Sequence, residues 1–228
     1  MSILFALLAF TLGLSAQELL TPSHSFSGKK TSYLTLEDGT ELRGTIEKIK
    51  RKKGLITSIK VDADGKKQTF KPAQVKFMYL MPSGFDKYGK GLSTLLDAQK
   101  WTDEKIDQDL VNQGYVYFEQ ARVKVKKKES TMLMQLLNPT FSSKVKVYHD
   151  PFAKSTASVG VGAITVAGGN EKSYYVSVNS ATAFKLEKKA YKKEFTPLWK
   201  ACGSMAQSFS EIKWNEFTKH VLAYSDCE

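Results

Sequence analysis

The stretch LEDGTELRGTIEKIKRKKG, residues 36–54, decides the fold. Asp38-Gly39 is a hairpin dipeptide, because glycine takes positive φ without steric cost, and it joins the run SYLTL (32–36) to ELRGTIEKIK (41–50). Gly44 inside the second run suits a strand that bends sharply where a small barrel closes on itself. A third run, LITSIKVDA (55–63), follows Gly54, and a second Asp-Gly pair at 64 and 65 turns it into KKQTF (66–70). Pro72 then interrupts the pattern before AQVKFMYL (73–80). Residues 30–82 are therefore expected to form a small five-stranded β-barrel module, and the open question is what the basic end KIKRKKG does.

The net charge of +11 is uneven. Residues 30–82 carry 12 basic against 6 acidic side chains, residues 83–113 carry 4 against 6, and residues 114–228 carry 17 against 10. Two basic modules thus flank an acidic connector. Of the 34 basic residues only Arg43, Arg51 and Arg122 are arginine. Nucleic-acid readers favour the planar, bidentate guanidinium and interleave aromatic rings on which bases stack, yet residues 36–60 contain no Phe, Tyr or Trp. Nucleic acid is disfavoured as a partner, and the block reads as a solvated hairpin end. A weaker electrostatic role remains. Lys48, Lys50, Arg51, Lys52 and Lys53, joined by Lys124, Lys126, Lys127 and Lys128, are candidate contacts to an anionic lipid or polysaccharide, at roughly 1 kcal/mol per residue near a charged surface.

The first residues, MSILFALLAFTLGLSAQE, are an uncharged apolar run ending in small residues, which reads as a signal peptide (1–16) cleaved after Ala16. Its apolar core is shorter than the roughly 20 residues a bilayer span needs, so no transmembrane span is expected after cleavage. In an exported chain the only two cysteines, Cys202 and Cys227, read as a disulfide that stabilises by roughly 3 kcal/mol. Residues 17–29 form an N-terminal segment, and residues 83–113 a connector. Its short helix would be capped by Thr102, favoured by Asp103 and Glu104, stapled by Trp101 and Ile106 and closed by Gly114.

Residues 114–228 again read as strands: ARVKVK (121–126), TMLMQLL (131–137), KVKV (144–147), SVGVGAITVAGG (158–169), KSYYVSV (172–178) and ATAFKLE (181–187), in an antiparallel meander. Helices close the chain. Tyr191, Phe195, Leu198 and Trp199 keep helical spacing, Pro197 either starts a new helix or kinks that one, and Ser208 with Glu211 forms a capping box ahead of Trp214, Phe217, Val221 and Tyr224. The fold class expected is mainly β, a small barrel followed by an antiparallel meander with C-terminal helices.

The small-barrel layout resembles the Sm-like barrels. Together with VYHDPFA (147–153), VAGG (166–169) and KSYYV (172–176), it resembles a group of functionally uncharacterised exported proteins of Gram-negative bacteria. That resemblance implies a bacterial envelope or extracellular location, in the periplasm or at the cell surface, and brings no activity or site with it.

Several chemical motifs are incomplete. Gly84, Gly89 and Lys90 fit a phosphate loop, but Gly91 stands where a magnesium-binding hydroxyl belongs. Gly160 and Gly162 begin a dinucleotide fingerprint whose third glycine is Thr165, and Ser27-Gly28-Lys29-Lys30 lacks the other elements of a serine-lysine enzyme. Asp62-Ala63-Asp64-Gly65 opens like a calcium loop, but Ala73 occupies the place of its last ligand. His24, His149 and His220 fall in separate elements without metal-ligand spacing, so no cofactor or metal is expected. His149-Asp150, where a strand meets Pro151, reads as a turn-capping Asp beside a surface His, because no nucleophile completes a catalytic set; the alternative is a base with its orienting acid. The leading reading is a non-enzymatic exported interaction or structural component of the bacterial envelope, with an envelope protein as its expected partner. The alternatives are a polyanion-binding protein using the lysine clusters and a hydrolase assembled around His149.

Overall fold

The computed structural model describes residues 18–84, 106–153 and 171–227. The signal peptide with its cleavage position, the expected helix-start residues Trp101, Thr102, Asp103 and Glu104, and the 158–169 segment lie outside the described residues. The first five strands are β1 (Thr31–Leu36), β2 (Glu41–Lys52), β3 (Leu55–Ala63), β4 (Lys66–Phe70) and β5 (Val75–Leu80). The Asp38-Gly39 turn forms as expected, with Gly39 at φ +85° and the Asp38 carboxylate accepting from the Thr40 amide at 2.9 Å. Asp64 (φ 52°) with Gly65 (φ 77°), and Lys53 (φ 51°) with Gly54 (φ 83°), take paired positive φ, the tight hairpin turn whose twist matches the strands.

The five strands do not close into a barrel. The sheet order is β4-β3-β2-β1-β5-β6-β10-β9-β8, so the free edge of β5 pairs with β6 (Val116–Val125) and β4 is left as an outer edge. Val116 faces Leu80 and Phe118 faces Met78 across that junction, and Val116, Phe118 and Leu133 complete the core on which Leu34, Ile59, Val75 and Met78 pack. Apolar side chains from the second half thus cover the surface that closure would have buried. Gly44 is required for close approach: a Cβ there would overlap the carbonyl oxygen of Asp62 on β3.

The second half is a mixed sheet rather than a purely antiparallel meander. The strands are β6, β7 (Lys128–Gln135), β8 (Val145–His149), β9 (Ser173–Val178) and β10 (Ala183–Glu187). β7 pairs antiparallel along β6, and β8, β9 and β10 form a meander, but β10 returns parallel to β6 through Ala183↔Val123 and Phe184↔Lys124. The connector helix α1 (Gln108–Asn112) is capped by Asp107, whose carboxylate accepts from the Leu110 amide, and Gly114 closes it at φ +92°.

Helices α2 (Tyr191–Leu198), α3 (Met205–Ser208) and α4 (Phe217–Ser225) cover one face of β8–β10. Pro197 lies within the last turn of α2. Ser208 ends α3 instead of capping the final helix, which begins from a short 3₁₀ turn at Trp214–Glu216. The helical core stacks Tyr174, Trp214 and Phe217 and encloses Trp199 and Tyr191. Cys202 and Cys227 are joined as a disulfide, tying the end of α4 to the segment after α2. Among the described residues no helix is long and apolar enough to cross a membrane.

Candidate functional site

The N-terminal segment runs across the junction of the two halves. Leu20 donates its amide to the Leu137 carbonyl, Ser23 donates to Gln135 Oε1, and Ser27 donates to the Met81 carbonyl (2.7, 2.9 and 2.9 Å). His24 is thereby held at the surface beside His149, with ring centroids 5.4 Å apart in an edge-to-face arrangement. The β2–β3 turn folds over from the other side. Arg51 donates to the His24 carbonyl (2.8 Å) and lies 5.7 Å from the Phe26 ring, and Gly54 meets the backbone of Pro151 so closely that a Cβ would overlap its carbonyl oxygen.

Those contacts frame a cleft of about 580 Å³. Arg51, Lys53 and Glu171 bring charged groups to it, His24 brings an imidazole, and Ile56, Phe118, Leu133 and Met134 are among its apolar lining. Its size lies within the range of small-molecule sites. Two buried polar atoms of lining residues, Gln135 Nε2 and His149 Nδ1, have no hydrogen-bond partner among the described residues. Burial pushes the His149 imidazole down to about 4, helped by the nearby His24 and opposed by Asp150, so it is neutral at pH 7. Burial also pushes the Glu171 carboxyl up.

The His149-Asp150 pair is not assembled as a base and its orienting acid. Successive strand residues point to opposite faces, and Asp150, fully buried, spends its carboxylate elsewhere. Its Oδ1 accepts from the Phe152 amide (2.9 Å), and its Oδ2 accepts from Ser173 Oγ (2.7 Å) and pairs with Lys185 Nζ (2.9 Å). Those bonds fix the turn on which Gly54 rests, so Asp150 shapes the cleft from behind. His220 lies far along the chain in α4, buried, with its Nδ1 on the Tyr191 hydroxyl at 2.7 Å. Among the described residues no group of three or more His, Cys, Asp or Glu is placed to hold a metal ion.

The two lysine clusters are not brought together. Lys48, Lys50, Lys52 and Lys53 are exposed at and before the β2–β3 turn, with Arg51 partly buried among them. Lys124, Lys126, Lys127 and Lys128 are exposed at the β6–β7 turn. At roughly 3.3 Å per residue, Lys126 is on the order of 25 Å along β6 from the cleft residue Phe118. Gln135, Ser23 and Glu171 escaped the sequence reading. A polar residue inside the apolar run TMLMQLL was the available signal for Gln135; Ser23 and Glu171 carry none.

Neither a protein-family model, nor a curated protein, nor a solved structure matches the chain.

Proposed function

We propose that this protein is an exported binding component of the bacterial cell envelope. It engages its partner at the face where the β2–β3 turn, the N-terminal segment and the end of β8 meet. The observation that carries this reading is the seating of Gly54 on Pro151. It turns the basic block of the sequence from a free arm into one rim of a preformed cleft, and a preformed rim costs little ordering entropy on binding. Export is supported by the disulfide, a bond that persists in oxidising compartments. Binding rather than hydrolysis is supported by the engagement of Asp150 with Ser173 and Lys185, which commits its carboxylate away from His149.

Site-specific photo-cross-linking in the producing cells tests this. A photoreactive residue at Lys53 is expected to give a discrete adduct with an envelope component, and the same residue at Lys127, on the distant turn, to give none. Equal labelling from both positions, or none from Lys53, would sink the proposal.

A further inference from the structure

The β6–β7 ladder turns through Lys126-Lys127, leaving Val125 opposite Lys128, and at its far end the Leu136 amide donates to the Tyr117 carbonyl at 3.0 Å. Hydrogen-bonded pairs alternate along an antiparallel ladder, and both ends set the same phase. Ser130, Met132 and Met134 therefore turn their backbone groups to β6, while Thr131 and Leu133 turn theirs away from it. No described strand lies on that side of β7, and the outward groups of Thr131 and Leu133 have no hydrogen-bond partner among the described residues. Thr131 is exposed, and Leu133 lines the cleft. The 3₁₀ turn Pro72–Gln74 packs nearby, but the Pro72 and Val75 carbonyls accept from Gln120 Nε2. On the opposite wall of the cleft stands Ile56, for β4 covers β3 only from Ile59 onward. The cleft is thus an open seam in a curled sheet, with an unpaired strand edge along one side. β4, the other open edge, carries exposed Lys66 and Lys67, charges that keep edges from pairing, whereas Ser130 to Leu133 carry none.

We propose that the partner presents an extended polypeptide segment of alternating apolar and acidic residues, which adds as a strand to the outer edge of β7. Its main chain bonds to Thr131 and Leu133. An edge offers a donor and an acceptor at every second residue, a spacing that another main chain matches and a lipid or a sugar does not. Alternate side chains of a strand point to opposite faces, so the apolar ones enter the cleft against Ile56, Phe118 and Leu133. The acidic ones turn to the rim, where Arg51 and Lys53 outnumber Glu171 and the exposed Lys50 and Lys52 add further positive charge. A segment that ends beside Thr131 stops short of the β6–β7 turn.

This inference rests on the cleft being the binding face, and it is tested on the full mature chain with the blocked hexapeptides VDVDVD and VKVKVK. VDVDVD is expected to bind saturably, shifting the Thr131 and Leu133 amide signals in NMR spectra, and VKVKVK to bind at least about tenfold more weakly. Alternate amides of a strand face opposite sides, so N-methylation of VDVDVD at its valines or at its aspartates should weaken binding at least about tenfold in one case and not in the other. Thr131→Pro removes the outward N–H without costing a bond to β6, and should weaken VDVDVD at least about tenfold. Lys53 is exposed in its turn, so Lys53→Glu should keep the fold and weaken VDVDVD even if the proline variant does not fold. The proposal is overturned if VDVDVD fails to saturate, if VKVKVK binds as tightly, if both N-methylated peptides bind alike, or if Lys53→Glu leaves the affinity unchanged. It is overturned too if NMR contacts in the free protein pair Thr131 with residues 154–170 or with a second copy of the chain. Failure of the peptide with the Lys53 photo-adduct intact would remove the partner class alone. Loss of both would remove the binding face.

Discussion

The backbone of Pro151 occupies the space that any side chain on Gly54 would need. The two residues lie in opposite halves of the molecule, one in the β2–β3 turn and the other just after β8, so their contact fixes the basic turn over the cleft. Gly54 is also at φ +83°, where L side chains are strained.

Gly54→Ala should therefore cost more than strain alone. Gly39, at φ +85° with open space around its Cβ position, provides the comparison. Urea unfolding is expected to show Gly39→Ala losing roughly 1–2 kcal/mol and Gly54→Ala at least about twice that. Equal losses would mean that the turn is not seated on Pro151.

Asn138 is fully buried and bridges the end of β7 to β8. Its amide donates to the carbonyls of Phe141 (3.0 Å) and Val145 (2.7 Å), and its Oδ1 accepts from the Val147 amide (2.8 Å). Asn138→Ala strands three buried backbone groups and should destabilise by about 3 kcal/mol or more. Asn138→Asp keeps the acceptor but loses both donors, and it should recover little. Chemical denaturation of both variants reads this directly.

Acid should weaken the fold through two histidines. Burial lowers both His149 and His220 from 6.5 to about 4. Between those values the unfolded chain binds protons that the folded chain does not. Stability is therefore complete above about pH 6.5 and falls as pH drops toward 4, by on the order of 1 kcal/mol per pH unit for each histidine. His220→Leu keeps an apolar side chain among Phe195 and Phe209 and removes one titration. Its stability between pH 7 and pH 4 should fall along a shallower slope than that of the parent. An unchanged slope would show that His220 is not kept neutral by burial.

Reduction of the Cys202–Cys227 bond releases the end of α4, where Lys144 Nζ also holds the Cys227 carbonyl. The double variant Cys202→Ser, Cys227→Ser should lose roughly 3 kcal/mol and about 10 °C in Tm. Calorimetry of the reduced parent protein should reproduce the same shift.

The strands and turns were legible where the signal is local. Period-two alternation marked the runs ARVKVK and KVKV, which fall in β6 and β8, the Asp-Gly pairs marked two hairpins, and two cysteines in a chain read as exported marked a disulfide. The candidate cap at Ser208 failed because tertiary packing of Trp214 and Phe217 against Tyr174 sets where the last helix begins. The cleft was hidden for a related reason. Its residues come from positions 23–24, 51, 53–56, 118, 133–135, 149, 151–153 and 171, and nothing local links them.

By itself the sequence determined that the chain is mainly β, that it turns at the two Asp-Gly pairs, and that its positive charge is carried almost wholly by lysine. Those properties reside in residue types and their spacing. Only the tertiary structure decided that β5 pairs with β6 instead of closing a barrel, that β10 returns parallel to β6, and that the basic turn rests on Pro151. The unpaired edge of a strand can accept any strand brought alongside it. Which one arrives is set by the apolar surface buried across the junction, here Val116, Phe118 and Leu133 on the core of β1–β5, and that surface exists only once both halves have folded.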